Sequence, residues 1–456
     1  MNSLYQNIKK ESWSIAWPVI LAAFSNNLIG LTDTAFLSRI SNEALGGGGL
    51  AVLWFYVITS LAMGWGTAIQ IIVARALGQK DFHFAYNRFI LFLLPSFAMG
   101  FLQFFLLYFS PIFLKAYFDN PIVYREFEQY LSIRSLDAFA MTFYFVFRGF
   151  YNGISNNKII GYTAFLLFFI NFLLNYVFVF GWGWIPALGS KGVAMASVIS
   201  QMIVLFIFLA NFCWILKLKI RLYFLWKELP IYLDALKTTL PISFQNLISI
   251  GSFFVFIKIT EYLGTHYLSI SEITKNIYIF LMIPTWGFGT AASTIISRTI
   301  GEGNFRLIVP IIKIIGYQNF KLSLFPILVL FIYPQAFYFL LTNDTKIIED
   351  SVSIARIVAI ALLIYSFAWI WVSAVIGTGA TIVAFLIEGI TLLVYLSYII
   401  ICYYYTQDLY LIWLCEIIYM VIMVSMSYFY IKSNHWQKIR FNLNHHSENY
   451  EQSTNC

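Results

Sequence analysis

Charged residues are scarce in this sequence, and their scarcity excludes a soluble globular protein. Only 11% of the 456 residues are Asp, Glu, Lys or Arg, whereas a soluble protein carries about 25%. Hydrophobic residues make up 60% of the chain, and the mean hydropathy is +0.78. Uncharged apolar runs long enough to cross a bilayer as helices, which takes about 20 residues, recur along the chain. The sequence therefore predicts an all-α integral membrane protein.

Residues that commonly bind metals or perform catalysis are also few. The four cysteines have no paired spacing, so neither a disulfide framework nor a zinc site is predicted. The five histidines fall in predicted loops or in the tail, which excludes a histidine proton relay within the membrane. Because the sequence has no Ser-His pair, paired aspartates or clustered histidines, we expect neither an enzyme nor a cofactor. Membrane orientation explains the net charge of +7, so no nucleic-acid partner is expected.

Twelve apolar segments are long enough to span a membrane, and the longest connection between them divides six from six. Most lysines and arginines lie in loops on one side. The other side has only Arg39, Lys115, Arg125, Lys191 and Lys346. By the positive-inside rule both termini are cytoplasmic, and the chain lies in the cytoplasmic membrane. The predicted spans are residues 13–38, 46–74, 89–114, 129–152, 159–181, 192–215, 239–262, 268–297, 316–341, 352–376, 381–404 and 409–431.

The two halves of the sequence are related by a constant shift of 223 residues, the difference between Pro18 and Pro241, which we call the repeat offset. The repeat offset aligns Pro18 with Pro241 and Arg75 with Arg298. It also aligns Gly64, Gly66 and Gly78 with Gly287, Gly289 and Gly301. Each half has an even number of spans, so the repeats run parallel about an axis along the membrane normal. We therefore predict two pseudo-symmetric six-helix bundles, 1–215 and 239–432, joined by a cytoplasmic linker loop, 216–238, and followed by a polar tail, 433–456.

One carboxylate, Asp33, lies inside the first predicted span. A charge at that depth costs at least about 2.5 kcal/mol, so it should face a water-filled cavity or a bound cation. Pro18 interrupts the same helix and provides a point at which it can bend. Asp33 aligns with Phe256, so the acid belongs to the first bundle alone. An acid that merely ties its helix to a neighbour is the alternative.

Three uncharged polar residues are predicted near Asp33. Asn171 and Asn175 are four residues apart on one helical face, and Ser197 lies in the next span. Asp33, Asn175 and Ser197 each stand about six residues from the same membrane face, which is roughly 9 Å deep. Their oxygens are suited to bind Na⁺ or to hold a protonated Asp33. Alternatively, the asparagines and the serine only fasten helices together.

Other polar groups within the spans are weaker candidates. Glu388 and Glu416 are predicted to face either a cleft between the bundles or a structural arginine, and Gln245 and Asn246 to lie on the cleft side of the second bundle. Arg134 and Asp137 are predicted to form a local ion pair. Lys258 with Glu261, and Glu272 with Lys275, are predicted to form an ion-pair cluster between neighbouring helices.

Together these features resemble the multidrug and toxic-compound extrusion (MATE) family of the multidrug/oligosaccharidyl-lipid/polysaccharide exporter (MOP) superfamily. The resemblance spans almost the whole chain. Its most specific elements are Thr32-Asp33-Thr34 after Pro18, Gly66-Thr67-Ala68, Asn171 with Asn175, and Pro284 followed by Gly287-Phe288-Gly289. It implies a secondary active antiporter that exports organic, often cationic, drug-like compounds in exchange for H⁺ or Na⁺.

The resemblance also implies roles for individual residues. Asp33 matches the family's essential acid of the first helix, and Pro18 the proline at which that helix bends. Asn171 matches an asparagine of the cation site, and Ser197 stands where threonine is frequent. Asn26 matches a polar position that lines the drug cavity.

Two departures from the family pattern leave the coupling ion open. Asn175 stands where one branch has an aspartate, and Gln245 and Asn246 stand where another branch has an acid early in the seventh helix. With a single acid in the cluster, we favour H⁺ over Na⁺.

Two other functions are weighed against antiport. A flippase for lipid-linked oligosaccharides belongs to the same superfamily, but twelve spans rather than fourteen and few cavity cations for a pyrophosphate headgroup argue against it. A passive channel does not need a buried acid beside a helix-bending proline. We expect a monomer in the lipid bilayer whose partners are small organic substrates.

Overall fold

The computed structural model describes residues 2–216 and 229–438, so parts of the predicted linker and most of the predicted tail lie outside the described residues. Eleven helices of the described chain are long and apolar enough to cross a membrane. The predicted all-α membrane fold is therefore confirmed. The helices are α1 (Asn2–Ser38), α2 (Asn42–Gly78), α3 (Phe82–Leu114), α4 (Pro121–Arg134), α5 (Asp137–Gly153), α6 (Lys158–Phe180), α7 (Ser190–Leu216), α8 (Leu229–Leu263), α9 (Thr265–Gly301), α10 (Ile308–Ile332), α11 (Gln335–Tyr338), α12 (Thr345–Gly377), α13 (Thr381–Tyr405), α14 (Leu409–Trp413) and α15 (Cys415–Lys432).

The fourth predicted span, 129–152, consists of two shorter helices, α4 and α5, which together supply the twelfth crossing. The helical pattern is interrupted at Ser135 and Leu136. Arg134 and Asp137 flank the interruption, and their charges lower the local hydropathy. Neither helix alone therefore has the length and composition of a span.

The ninth predicted span, 316–341, is displaced along the chain. Its helix, α10, runs from Ile308 to Ile332, so it begins earlier and ends earlier than predicted. Tyr333 leaves the helical conformation with φ −133° and ψ 68°. Pro334 follows, and the residue before a proline is disfavoured in a helix. The predicted span continued to residue 341 because many of the residues after Ile332 are also apolar.

Helices α2 and α9 are equivalent residue for residue under the repeat offset, and each is 37 residues long. They cross at their C-terminal ends, where Gly78 contacts Gly301. A Cβ atom on Gly78 would lie 3.0 Å from the Cα of Gly301, and one on Gly301 would lie 3.1 Å from the Cα of Gly78. Each would also collide with a backbone carbonyl of the other helix, that of Arg298 or Arg75. The matched glycines therefore allow a close, pseudo-symmetric crossing.

Each half also packs its second long helix against the first helix of the other half. A Cβ atom on Gly64 of α2 would collide with Ser243 of α8. One on Gly287 of α9 would collide with Ala16 and Ile20 of α1. The repeat offset relates Ile20 to Ser243 as it relates Gly64 to Gly287, so the two contacts are equivalent. Helices α1, α2, α8 and α9 thus interlock the halves.

The apolar core is divided in the same manner. One buried cluster contains Phe147 and Phe208 of the first half, and another contains Phe256 and Trp413 of the second. A further cluster joins Ile15 of α1 to helices of the second half. Helix α1 therefore packs within both halves.

Polar contacts join the halves at the terminal face, which we define as the face carrying the start of α1 and the end of α15. Arg75 donates a hydrogen bond to the Thr378 carbonyl oxygen at 2.6 Å. Arg298 donates to the Ser155 hydroxyl at 2.5 Å and also pairs with Glu11. The repeat offset relates Arg75 to Arg298 and Ser155 to Thr378. We call these four residues the arginine clamp.

Candidate functional site

Asp33 lies in a closed ring of hydrogen bonds with its three predicted neighbours. Asn175 Nδ2 donates to Asp33 Oδ1 at 2.6 Å and to Asn171 Oδ1 at 3.1 Å. Asn171 Nδ2 donates to Ser197 Oγ at 3.2 Å, and Ser197 Oγ donates to Asp33 Oδ2 at 3.2 Å. All four side chains are buried. The predicted cluster therefore comes together from α1, α6 and α7, and we call it the Asp33 ring.

A tight connection between α6 and α7 brings the ring residues to a common depth. Gly181, Gly183 and Gly189 have φ of 80°, 61° and 59°, a region that side chains disfavour. These glycines let the chain reverse direction within residues 181–189. Asn175 near the end of α6 then lies level with Ser197 near the start of α7.

The ring has spare capacity to accept a positive charge. Asn175 Oδ1 is buried and has no hydrogen-bond partner among the described residues. Buried polar atoms usually have a hydrogen-bond partner, and this oxygen is free to accept a further hydrogen bond or to ligate a cation. Carboxylate, amide and hydroxyl oxygens are ligands for hard cations. The ring is thus chemically suited to a proton on Asp33 or to Na⁺.

Three further ionisable groups lie near Asp33 and a fourth lies beside one of them, and none was among the predicted site residues. Tyr56, Tyr130 and Arg134 interact electrostatically with Asp33, and Asp137 interacts with Arg134. The Tyr130 hydroxyl is buried and has no hydrogen-bond partner among the described side chains. The one sequence signal for this group was the Arg134 and Asp137 spacing, and the predicted local ion pair is present.

The other predicted residues on α1 lie on the same helix as the ring without contacting it. Pro18 is accommodated inside α1, where it packs beside Gly161 of α6. Asn26 is half-buried and lies two turns from Asp33, on the same side of the helix.

Gln245 belongs to a different carboxylate, in the second half. It is buried near Glu388, while the adjacent Asn246 is half-buried. Glu388 accepts hydrogen bonds from the Ser249 hydroxyl at 2.9 Å and the Tyr419 hydroxyl at 2.6 Å. Gln245 Oε1 has no partner among the described residues.

Glu416 is held by two tyrosines. It accepts hydrogen bonds from Tyr278 at 2.8 Å and from Tyr395 at 3.0 Å. In the described part of the chain, no arginine forms a salt bridge with Glu416 or with Glu388. The alternative of a structural arginine is therefore not what stabilises these two acids.

The four charged residues expected to cluster between neighbouring helices form their two expected pairs, each within a single helix, and no salt bridge joins the two pairs among the described residues. Lys258 pairs with Glu261 on α8 at 2.8 Å, and Lys275 pairs with Glu272 on α9 at 2.7 Å. Residues three apart face the same side of a helix, which favours the local pair.

Comparison with known proteins supports the sequence resemblance over both halves. The profile of the MatE family matches residues 18–177 and again residues 241–404. The two matches begin at Pro18 and Pro241, the prolines that the repeat offset aligns, so they agree with the internal repeat.

Relatives of similar sequence include two probable multidrug resistance proteins NorM. The protein of Thermotoga maritima is 23% identical over 397 residues, which cover 84% of this chain and 83% of the relative. The protein of Agrobacterium fabrum is 26% identical over 305 residues, covering 66% and 65%.

Solved structures show the same fold. An outward-facing multidrug resistance MATE family transporter of the MOP superfamily has a TM-score of 0.86 at 19% identity, covering 94% of this chain and 96% of its own. A MOP superfamily transporter from Pyrococcus furiosus has a TM-score of 0.84 at 18% identity, covering 95% and 97%. Since the family profile matches most of both halves of this helical membrane protein, the chain belongs to the MATE family of transporters.

Proposed function

We propose that this protein is a secondary active antiporter that exports organic, often cationic, drug-like compounds in exchange for H⁺ or Na⁺. The observation that carries the proposal is the Asp33 ring, a buried carboxylate beside an unpartnered amide oxygen. The NorM proteins of Thermotoga maritima and Agrobacterium fabrum, described as probable multidrug resistance proteins, support the substrate class.

Asp33 is the coupling residue in this proposal. Its ionised carboxylate favours an organic cation in the nearby cavity. A proton on Asp33, or Na⁺ bound with Asn171, Asn175 and Ser197, removes the negative charge and with it the attraction for the substrate. A ligand shifts a conformational equilibrium only through different affinities for the two states, and the change of charge provides that difference.

Helix α1 transmits the change at Asp33 to the second half. Its packing with the second half includes edge-to-face ring contacts of Trp13 with Phe288 at 5.2 Å and of Phe24 with Phe280 at 5.8 Å. Pro18 lies between these contacts and has no backbone N–H to donate within the helix. Bending at Pro18 therefore lets the Asp33 end of α1 repack while the other end stays in place.

The proposal also includes the substrate path and the orientation. Asn26 on α1, with Gln245 and Asn246 on α8, lines the path in the two bundles. Both termini lie in the cytoplasm, the bundles comprise 1–215 and 239–432, and the functional unit in the cytoplasmic membrane is a monomer.

Transport by the purified protein in liposomes tests this function. A fluorescent organic cation should move when a pH gradient or a Na⁺ gradient is imposed separately, and the effective gradient identifies the ion. Asp33→Asn should abolish this movement while the protein remains folded. Flipping of a lipid-linked sugar with no gradient-driven dye movement would replace antiport by the flippase function.

A further inference from the structure

The break between α4 and α5 places an ion pair inside the first half. Arg134 Nη1 donates a hydrogen bond to Asp137 Oδ2. The side chain of Arg134 is 10% exposed and that of Asp137 is 0% exposed. The guanidinium carbon lies 4.2 Å from the ring centroid of Phe55 on α2. Arg134 Nε and Asp137 Oδ1 have no hydrogen-bond partners among the described residues, so the pair is not saturated.

The packing register places this pair close to the Asp33 ring. The glycine run at the start of α2 packs against Leu37 of α1 and against Phe127 of α4. Asp33 lies four residues inward from Leu37, and Arg134 lies seven residues inward from Phe127. The difference of three residues corresponds to about 4.5 Å, or one helical turn. Arg134 interacts electrostatically with Asp33, yet no hydrogen bond joins them among the described contacts.

We propose that the Arg134–Asp137 pair sets the affinity of Asp33 for its coupling ion, an inference that rests on the proposed function. The guanidinium opposes the binding of any positive ion at Asp33, whether H⁺ or Na⁺. The Asp137 carboxylate acts in the opposite sense. As a general scale, a unit charge roughly 10 Å from an ion site changes ion affinity roughly tenfold when the effective dielectric is about 20.

Balance between the two charges is what the transport cycle needs. A buried carboxylate with no cation nearby would retain its ion, and one beside an unopposed cation would not bind it. Among the described residues, the other ionisable groups facing Asp33 are Tyr56 and Tyr130, both neutral phenols at neutral pH. The pair therefore supplies the formal charges near the ring.

Two single substitutions separate this role from a purely structural one. Arg134→Gln leaves two carboxylates, so ion affinity should rise about tenfold: the half-maximal pH of dye export moves up by about one unit, or the half-saturating Na⁺ concentration falls about tenfold. Asp137→Asn leaves an unopposed guanidinium, so ion affinity should fall by a similar factor. The half-maximal pH of dye export then moves down, or the half-saturating Na⁺ concentration rises. An ion pair needed only for folding would impair both variants alike.

Further variants keep the test decisive if a single variant folds poorly. Arg134→Lys keeps the cation, and the double variant Arg134→Gln/Asp137→Asn keeps the balance, so both should restore nearly wild-type ion dependence. Size-exclusion chromatography and thermal unfolding provide the check on folding.

The inference is overturned if ion affinity shifts in the same direction in both folded single variants, or does not shift, while Asp33→Asn still abolishes coupled export. Normal coupled export by Asp33→Asn overturns the proposed function and this inference with it.

Discussion

The two halves of this transporter share a scaffold but hold their buried carboxylates in different ways. In the first half, amide and hydroxyl groups hold Asp33 and leave one amide oxygen unsatisfied. In the second half, two tyrosine hydroxyls hold Glu416, and a serine and a tyrosine hydroxyl hold Glu388. The position equivalent to Asp33 is Phe256, whose ring packs 4.9 Å from that of Trp413. The packing surfaces were thus kept in both repeats, whereas the ionisable site was not.

The largest expected difference between the halves concerns their acids. Asp33→Asn should reduce gradient-driven dye export at least roughly 100-fold, because the ring can no longer change its charge. Glu416→Gln should reduce export less than about threefold, since the amide oxygen accepts a hydrogen bond from one tyrosine and the amide N–H can donate to the hydroxyl oxygen of the other. Initial rates in liposomes, normalised to inserted protein, provide the measurement. Equal losses in the two variants would contradict the assignment of coupling to the first half.

Substituting either glycine at the crossing of α2 and α9 should destabilise the protein by a similar amount. Gly78→Ala and Gly301→Ala each push a methyl group into a backbone carbonyl of the opposite helix. Overpacking of this kind costs about 1–3 kcal/mol, so both variants should unfold at lower temperature by similar amounts. Gly49→Ala is the matched control, because its added methyl would meet no atom within 4 Å. Thermal unfolding in detergent measures all three, and a large difference between Gly78→Ala and Gly301→Ala would argue against the equivalence of the two contacts.

The matched prolines should differ more modestly. Pro18→Ala restores a backbone donor in α1 and should slow turnover about three- to fivefold while leaving substrate affinity nearly unchanged. Pro241→Ala in α8 should have a smaller effect, because α8 does not carry Asp33, the acid proposed to couple transport. Transport rates and equilibrium dye binding, measured on the same preparations, separate the two quantities. A stronger effect on binding than on turnover in Pro18→Ala would exclude bending as the role of this residue.

Much of the Asp33 ring could be predicted from the sequence, because its members obey simple geometry. Asn171 and Asn175 share a helical face, and counting residues from the helix ends placed Ser197 at the same depth. The position of Arg134 and Tyr130 near the ring could not be predicted in this way. Their approach to Asp33 depends on how α4 is rotated and how it packs on α2, which no local pattern encodes.

The fold shows the same division between local and tertiary information. The repeat offset correctly paired Gly78 with Gly301, yet it gave no indication that the two glycines contact each other. The end of α10 was missed because apolar residues continue past the stop before Pro334. The charges of α8 and α9 form the two expected pairs, but no salt bridge joins the pairs into an interhelical cluster among the described residues, and this depends on side-chain direction that the sequence does not show.

The length of α2 and α9 determines how the surrounding lipid meets the arginine clamp. At 37 residues each helix is about 55 Å long, whereas the hydrocarbon layer is about 30 Å thick. The arginine clamp stands near the ends of these helices, and so at the level of the lipid headgroups. Of its two arginines, Arg75 is buried, whereas the side chain of Arg298 is 23% exposed. Anionic headgroups attract exposed guanidinium groups, and salt screens that attraction within about 10 Å at 0.1 M. We therefore expect headgroup composition to act on the clamp through Arg298.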